Sequence, residues 1–316
     1  MRKRILSLIL VLAMLATALV GCGAKEQQNE EVTEEKYNVR IMSNNLWSCD
    51  TNTAAWTAIG YDCSAPVRAE GFVKVYSETV PDVIGTQECT DLMQSELLTK
   101  LQAEGMTYEV IAGGRTPIFY NTSTLELVES AHELYPEACP GFEGSFNNSS
   151  SKSWTLAVFN VKETGDKFIF VNTHLWYMSG VVGDNNYQAG SDEARKYQME
   201  LAIAKLKEYY ETYQCAAYLV GDLNATFDSM ALEYAYEEGF EHAHDIAVDF
   251  VDETKGTHQC DTSGFGPIRD GRFEDSIDHI LVYGAEEGSV STFNRFSENY
   301  YVSLSDHLPV YIDVKF

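Results

Sequence analysis

From Asn38 onward the chain alternates short apolar segments with turns, and the period of each segment predicts its element. Residues 38–43 alternate polar and apolar side chains, as a strand with one buried face does. A second strand is expected over 82–86, directly after Pro81. Met93, Leu97, Leu98 and Leu101 share one face at helical spacing, and Thr90 or Asp91 precedes them as a cap. Segments 108–112, 117–120 and 125–129 read as successive strands. Residues 141–153 are rich in Gly, Asn and Ser and read as a loop. Segments 154–161 and 167–171 read as a strand pair turning at Thr164-Gly165-Asp166. Ser191 heads a helical pattern that runs to about Tyr213. Residues 216–220 form a continuous apolar run, suited to a strand buried on both faces. A helix over 228–238 and strands over 280–283 and 308–314 complete the series. Many strands with helices between them predict sheet-on-sheet packing flanked by helices.

Before Tyr37 the pattern is different. Arg2, Lys3 and Arg4 precede an apolar stretch, Ile5 to Val20, that is too short and wrongly flanked for a stable membrane span. This reads as an export signal. Leu19-Val20-Gly21-Cys22 resembles a bacterial lipobox, which implies cleavage before Cys22 and a diacylglycerol on its sulfur. The plainer alternative is a secretory signal with an incidental cysteine. Residues 23–36 are polar, acidic and free of aromatics, the composition of a self-repelling tether. The expected division is a signal over 1–21, a lipidated tether over 22–36, and one domain over 37–316. An acyl anchor would hold that domain on the extracytoplasmic face of a membrane.

Composition narrows the function. The chain has 316 residues, 45% of them hydrophobic, with 19 Tyr and 15 Phe, enough to bury a sizeable core. Loss of the signal would remove three basic and no acidic residues, moving the net charge from −26 to −29. Such a charge repels polyanions and disfavours tight binding of duplex nucleic acid, which needs phosphates neutralised by Lys and Arg. No Cys-x-x-Cys pair is present, so a structural zinc site is not expected. Export permits disulfides; Cys49 with Cys63 is one candidate local pair. Cys215 precedes an apolar strand and reads as a small buried residue.

The candidate chemistry lies where polar residues meet the strand ends. Asn44-Asn45, Gln87-Glu88, Asn172-Thr173-His174, Asp222-Leu223-Asn224, Asp278-His279 and Asp306-His307 each adjoin an expected strand. Strand ends on one sheet edge converge. Carboxylates and carboxamides there offer hard oxygen ligands for Mg²⁺ or a similar ion, and histidines can move protons or hold a phosphate.

The segments Arg40-Ile41-Met42-Ser43-Asn44-Asn45-Leu46, Pro81 to Glu88, Val171 to Leu175, Gly221 to Ala225, Ser276 to Ile280 and Ser305 to Val310 resemble, in order, the motifs of the endonuclease/exonuclease/phosphatase superfamily. The resemblance covers nearly all of 37–316 and implies a four-layer α/β/β/α sandwich and hydrolysis of a phosphate ester. It implies Mg²⁺, with Mn²⁺ or Ca²⁺ as alternatives, bound by Glu88, Asn45 and Asp306. Asn44 would be only a neighbour. His307 would be the general base that activates water, oriented by Asp278. Asp222 and Asn224 would position water or leaving group and bind the phosphate, although Gly-Asp-x-Asn also suits a tight turn. His174 would donate to a nonbridging oxygen. Arg195 and Gln198, three apart on one helix face, read as mainly structural with a supporting role behind the site.

This sequence departs from the family at one place. Members often carry a glutamate just before the strand at 117–120, where it orients the phosphate-binding histidine. Gly113-Gly114-Arg115-Thr116 stand there instead, so Arg115 is either a phosphate contact or an exposed loop cation. Tyr177 replaces a residue that is often polar. His242, His244 and His258 sit in loop-like sequence and read as ordinary surface histidines. The substrate class stays open between nucleic acid, lipid head group and sugar phosphate. A noncatalytic surface lipoprotein on the same fold is the alternative of a different kind. No Gly-x-Ser-x-Gly elbow supports a serine hydrolase.

Overall fold

The structure is a computed structural model and describes residues 39–58, 60–251, 257 and 275–316. The export segment, Cys22, the tether, His258 and Cys260 lie outside the described residues.

In chain order the strands are β1 (Val39–Asn45), β2 (Val83–Gln87), β3 (Tyr108–Ile111), β4 (Ile118–Asn121) and β5 (Leu125–Leu134). Then follow β6 (Ser153–Val161), β7 (Lys167–His174), β8 (Ala217–Asp222), β9 (Glu241–His242) and β10 (Asp249–Phe250). The last are β11 (Asp278–Tyr283), β12 (Val290–Arg295) and β13 (Val310–Val314). The helices are α1 (Thr53–Thr57), α2 (Ala65–Thr79), α3 (Asp91–Ala103), α4 (Ser191–Tyr213), α5 (Met230–Glu237) and α6 (Ala243–Ile246). One sheet has the order β10-β12-β13-β1-β2-β4-β3 and the other β5-β6-β7-β8-β11-β9.

Strand alternation builds the layers. In β1, Val39 and Ile41 face the second sheet, while Met42 faces α2 and α3. In β7, Phe168 and Phe170 face the first sheet, while Ile169 and Val171 face α4 and α5. The run at 216–220 behaves as expected: Tyr218 and Val220 point between the sheets and Ala217 and Leu219 towards the helices. The result is the four-layer α/β/β/α sandwich. Each fully buried Phe, Ile or Val contributes roughly 1.5–3 kcal/mol.

Strand direction then places the site. β1 and β2 run parallel, as do β7 and β8, so all four end at one edge of the sandwich. β11 and β13 run antiparallel to β8 and β1, so they begin at that edge. The six polar clusters therefore come from four strand ends and two strand starts on one rim.

Some elements differ from the pattern. α2 was not expected, because Arg68 occupies a buried position on its apolar face and interrupts the stripe. Its guanidinium donates to the Leu46 and Leu304 carbonyls. β12 is not marked in the sequence because only Val290 and Phe293, three apart, are apolar over its six positions, which breaks the period-two pattern. β5 continues to Leu134 as an edge strand largely exposed in its second half. Cys49 and Cys63 are not bonded; the Cys63 thiol donates to the Cys49 carbonyl at 3.1 Å, and burial pushes both thiols up. Cys215 is only partly buried, packed at the rim of the layer that holds α4 and α5.

His242 is not a surface histidine: it is buried, 3.0 Å from His279, whose Nε2 donates to the Ala225 carbonyl at 2.8 Å. The expectation failed because β9 lies beside β11, out of sight of the local sequence. His244 is partly exposed and pairs with Asp245 at 3.0 Å. Burial holds His279 down at about 4 and pushes His242 well below the usual imidazole value. An unfolded chain takes up those protons near the ordinary value of 6.5, before the folded one does. Stability conferred by neutral His279 is therefore present above pH 6.5 and is lost as pH falls towards 4, by roughly 3 kcal/mol. Urea unfolding at pH 7 and pH 4.5 should show this loss, and it should shrink in His279→Gln. An unchanged acid sensitivity in that variant would refute the assignment.

Candidate active site

The base of the site is a polar seam between the sheets. Gln87 donates to Asn172 Oδ1 at 2.7 Å, and Asn172 donates to the Thr86 carbonyl at 2.8 Å. Gly85 permits this approach: a Cβ there would lie 2.7 Å from Val220 and 2.9 Å from Asn172. Above the seam, Asn45 at the end of β1 donates to Asp222 Oδ2 at 2.8 Å and reaches Glu88 Oε1 at 3.5 Å. Asn45 turns its oxygen to the Trp47 N–H at 2.9 Å, so its nitrogen, not its oxygen, faces the carboxylates. Asn44 points the other way, to Tyr76 and Tyr301.

Glu88 leaves β2 with φ 55°, a left-handed backbone uncommon for a residue with a side chain. Held strain of this kind recurs at functional sites, and here it turns the carboxylate into the cleft. Ser48 fixes that carboxylate through its N–H at 2.9 Å and its hydroxyl at 2.7 Å. Burial alone would raise the Glu88 pKa; His174, Lys152 and the Ser48 bonds outweigh it and hold the group at about 2.

Asp222 is the hub. Its Oδ2 lies 3.3 Å from His174 Nε2 and 3.7 Å from His307 Nε2, and its Oδ1 accepts the Asn224 N–H at 2.9 Å. Burial opposes ionisation, yet His307, His174 and Lys152 keep Asp222 well below the usual carboxylate range. Gly221 before it has no room for a Cβ, which would meet the Thr173 carbonyl at 1.9 Å. Asn224 lines the cleft with φ 48°, a conformation Asn tolerates, and donates to the Leu175 carbonyl at 3.1 Å.

His307 Nδ1 lies 2.8 Å from Asp278 Oδ2. Burial lowers its pKa, but Asp278 and Asp222 raise it well above the ordinary value. Burial likewise pushes Asp278 up. Asp306 Oδ1 is 4.0 Å from His307 Nε2 and buried without a hydrogen bond, and burial pushes this carboxyl up to about 6.

The structure thus brings Glu88, Asp222, Asn224, His174 and His307 to one cleft of about 550 Å³, with Asn45, Asp278 and Asp306 behind it. Ligand atoms of Glu88, His174 and Asp222 lie within 4.8 Å of one another, as do those of Asp222, Asp278 and His307. Buried carboxylates together with an orphaned Asp306 oxygen fit a hard divalent cation, which would offset their mutual repulsion.

Lys152 was not singled out from the sequence. It ends the loop before β6, and the β6–β7 register sets it beside His174. Its Nζ lies 2.5 Å from His174 Nε2. Burial lowers its pKa to about 8. Asn147 clamps its backbone, donating to the Lys152 carbonyl at 2.8 Å and accepting its N–H at 2.9 Å. Only a lone cation at the end of a polar loop marked it in the sequence. The missing glutamate is visible as well: His174 Nδ1 is buried with no hydrogen-bond partner, and burial and Lys152 lower the His174 pKa. Arg115 and Tyr177 line the same cleft. Arg195 and Gln198 stand behind it. Arg195 donates to the Trp176 and Met178 carbonyls at 3.1 and 2.6 Å; Gln198 accepts the Trp176 N–H at 2.7 Å and donates to the Phe146 carbonyl at 2.9 Å.

A crystal structure of an endonuclease/exonuclease/phosphatase from Bacteroides vulgatus shares 23% identity, covers 88% of this chain and 98% of its own, and superposes with a TM-score of 0.64. A Bacteroides thetaiotaomicron mannosyl-6-phosphatase shares 20% identity over 88% of this chain and 100% of its own, with a TM-score of 0.62. Caenorhabditis elegans TDP2 shares 17% identity over 87% and 96%, with a TM-score of 0.59. A search of curated protein sequences gave no match. The model of the Endonuclease/Exonuclease/phosphatase family matches residues 45–307, from Asn45 at the end of β1 to His307 at the rim, and the chain belongs to that family.

Proposed function

We propose that this protein is a divalent-metal-dependent phosphoesterase in which His307 takes a proton from the attacking water. The observation that carries this reading is the His307–Asp278 pair, 2.8 Å apart, opening on the cleft that holds Glu88, Asp222 and His174. Asp278 fixes the imidazole with Nε2 towards the cleft and stabilises the imidazolium once the proton has moved. Glu88 and Asp306, with Asp222 adjacent, would hold the cation; Mg²⁺ fits these oxygen donors, and Mn²⁺ or Ca²⁺ could replace it. When bound, the cation supplies charge that offsets the developing negative charge on the phosphoryl oxygens. Asn224 and His174 flank the place where the phosphate would lie. Family members are generally phosphoester hydrolases, and the mannosyl-6-phosphatase neighbour favours a small phosphate ester. The net charge of −26 counts against duplex DNA.

The purified protein should release phosphate or alcohol from a simple ester in Mg²⁺. EDTA should abolish the activity and added Mg²⁺ restore it. Absence of turnover on monoesters, diesters, sphingomyelin and plasmid alike would leave the noncatalytic alternative. We place the enzyme on the extracytoplasmic face, anchored through lipid on Cys22. In cells the activity should then sediment with membranes, and Cys22→Ser should release it.

A further inference from the structure

Cations are scarce in this chain, with 22 Lys and Arg against 48 Asp and Glu, and carboxylates take many of them. Arg40 pairs with Asp313, Lys100 with Glu70 and Lys207 with Glu238. Lys152 and Arg115, both lining the cleft, have no carboxylate in salt-bridge contact among the described residues. Lys152 is only 3% exposed. Its charge is balanced only at a distance, by Asp222 and Glu88, so its remaining N–H groups are left for a negatively charged group entering the cleft.

The contact with His174 gives Lys152 a definite role. An ammonium is a donor only. His174 Nε2 lies against both Lys152 Nζ and, at 3.3 Å, Asp222 Oδ2; when Lys152 donates, Nε2 is the acceptor and the imidazole proton sits on Nδ1, which has no partner. In that state His174 has no N–H to offer from Nε2. The ammonium keeps two further N–H groups, and the Asn147 clamp fixes the backbone that carries them.

We propose that Lys152, supported by Arg115, is the phosphate-binding cation of the cleft and selects the doubly charged terminal phosphate of a monoester over a diester, with His174 positioning the ammonium. This rests on the phosphoesterase reading above. A phosphate monoester carries about −1.5 to −2 charges near pH 7. A diester has one ionisable oxygen fewer, so two cations suit the monoester better. The rest of the wall offers Asn148, Ser149, Asn186 and Tyr177, neutral hydrogen-bonding groups that suit a hydroxylated leaving group.

The test compares wild type, Lys152→Met, Lys152→Arg and Arg115→Gln on p-nitrophenyl phosphate and bis-p-nitrophenyl phosphate. Inorganic phosphate binding is measured calorimetrically on the same proteins in Mg²⁺. Lys152→Met should lower kcat/KM for the monoester by about 10²-fold, mostly through KM, and for the diester by less than about tenfold. Phosphate affinity should fall with the monoester value, Lys152→Arg should recover part of both, and Arg115→Gln should shift selectivity the same way by a smaller factor. Equal losses on both esters, or unchanged phosphate binding in folded Lys152→Met and Arg115→Gln, would overturn the proposal. If wild type hydrolyses neither ester, nor sphingomyelin nor plasmid, the hydrolase reading fails. Phosphate binding then still decides the role of Lys152: loss in the Met variant supports it, and no change removes it.

Discussion

Replacing His307 with alanine should lower turnover of any accepted ester by about 10² to 10⁴ while leaving the fold intact. The imidazole is 5% exposed and bonded to Asp278 through Nδ1, so Nε2 alone points towards the cleft, with Asp222 at 3.7 Å and Asp306 at 4.0 Å. His174, the other imidazole lining that cleft among the described residues, shares its Nε2 between Lys152 and Asp222, and its Nδ1 has no carboxylate to orient it. The pH dependence carries a second signature. Burial depresses the His307 pKa, but Asp278 and Asp222 together raise it well above the usual value. A base must be unprotonated, so kcat/KM should climb as pH rises through that raised value. Asp278→Asn removes the largest raising influence. It should shift the acid limb to lower pH and reduce the plateau. Steady-state kinetics across pH, with near-ultraviolet circular dichroism as the fold control, read both effects. Full activity in His307→Ala would remove the general base from the mechanism.

Glu88→Gln should weaken Mg²⁺ binding by about 100-fold, with turnover falling in parallel at low Mg²⁺ and recovering in part at high Mg²⁺. Glu88 is held ionised down to about pH 2, so the substitution removes a full negative charge at any working pH. The amide is nearly isosteric and can still accept from Ser48, which holds the carboxylate at 2.9 and 2.7 Å. The strained φ of 55° is therefore kept while the charge is lost. Calorimetric titration of Mg²⁺ separates the change in affinity from any change in the chemical step. An unaltered Mg²⁺ dependence would show that the cation is held elsewhere in the cleft.

Both outcomes depend on residues that are legible in the sequence, because each sits beside an apolar run whose period announces a strand. Asn45, Glu88, His174, Asp222, Asp278 and Asp306-His307 are all of this kind. Lys152 is not: it closes a Gly-, Asn- and Ser-rich loop, and nothing local tells it from a solvated cation. Its importance comes from the β6–β7 register, which sets Ser153 opposite His174. His242 was misjudged for the same reason, since its burial comes from pairing with β11. α2 was hidden by Arg68, a charged residue at a core position whose backbone acceptors, Leu46 and Leu304, are remote in the chain.

The sequence by itself determined the two-sheet sandwich and the identity of the strand-end acids, amides and imidazoles, because period-two alternation and apolar runs are local properties of the chain. Only the tertiary structure decided which nitrogen of His174 meets Lys152, that Asn45 turns its nitrogen to Asp222, and that Asp306 keeps an oxygen without a donor. Those facts depend on strand direction and register between segments up to 177 residues apart, as for Asn45 and Asp222. Hydrogen bonding and burial act at contact distance in space, and separation along the chain does not encode that distance.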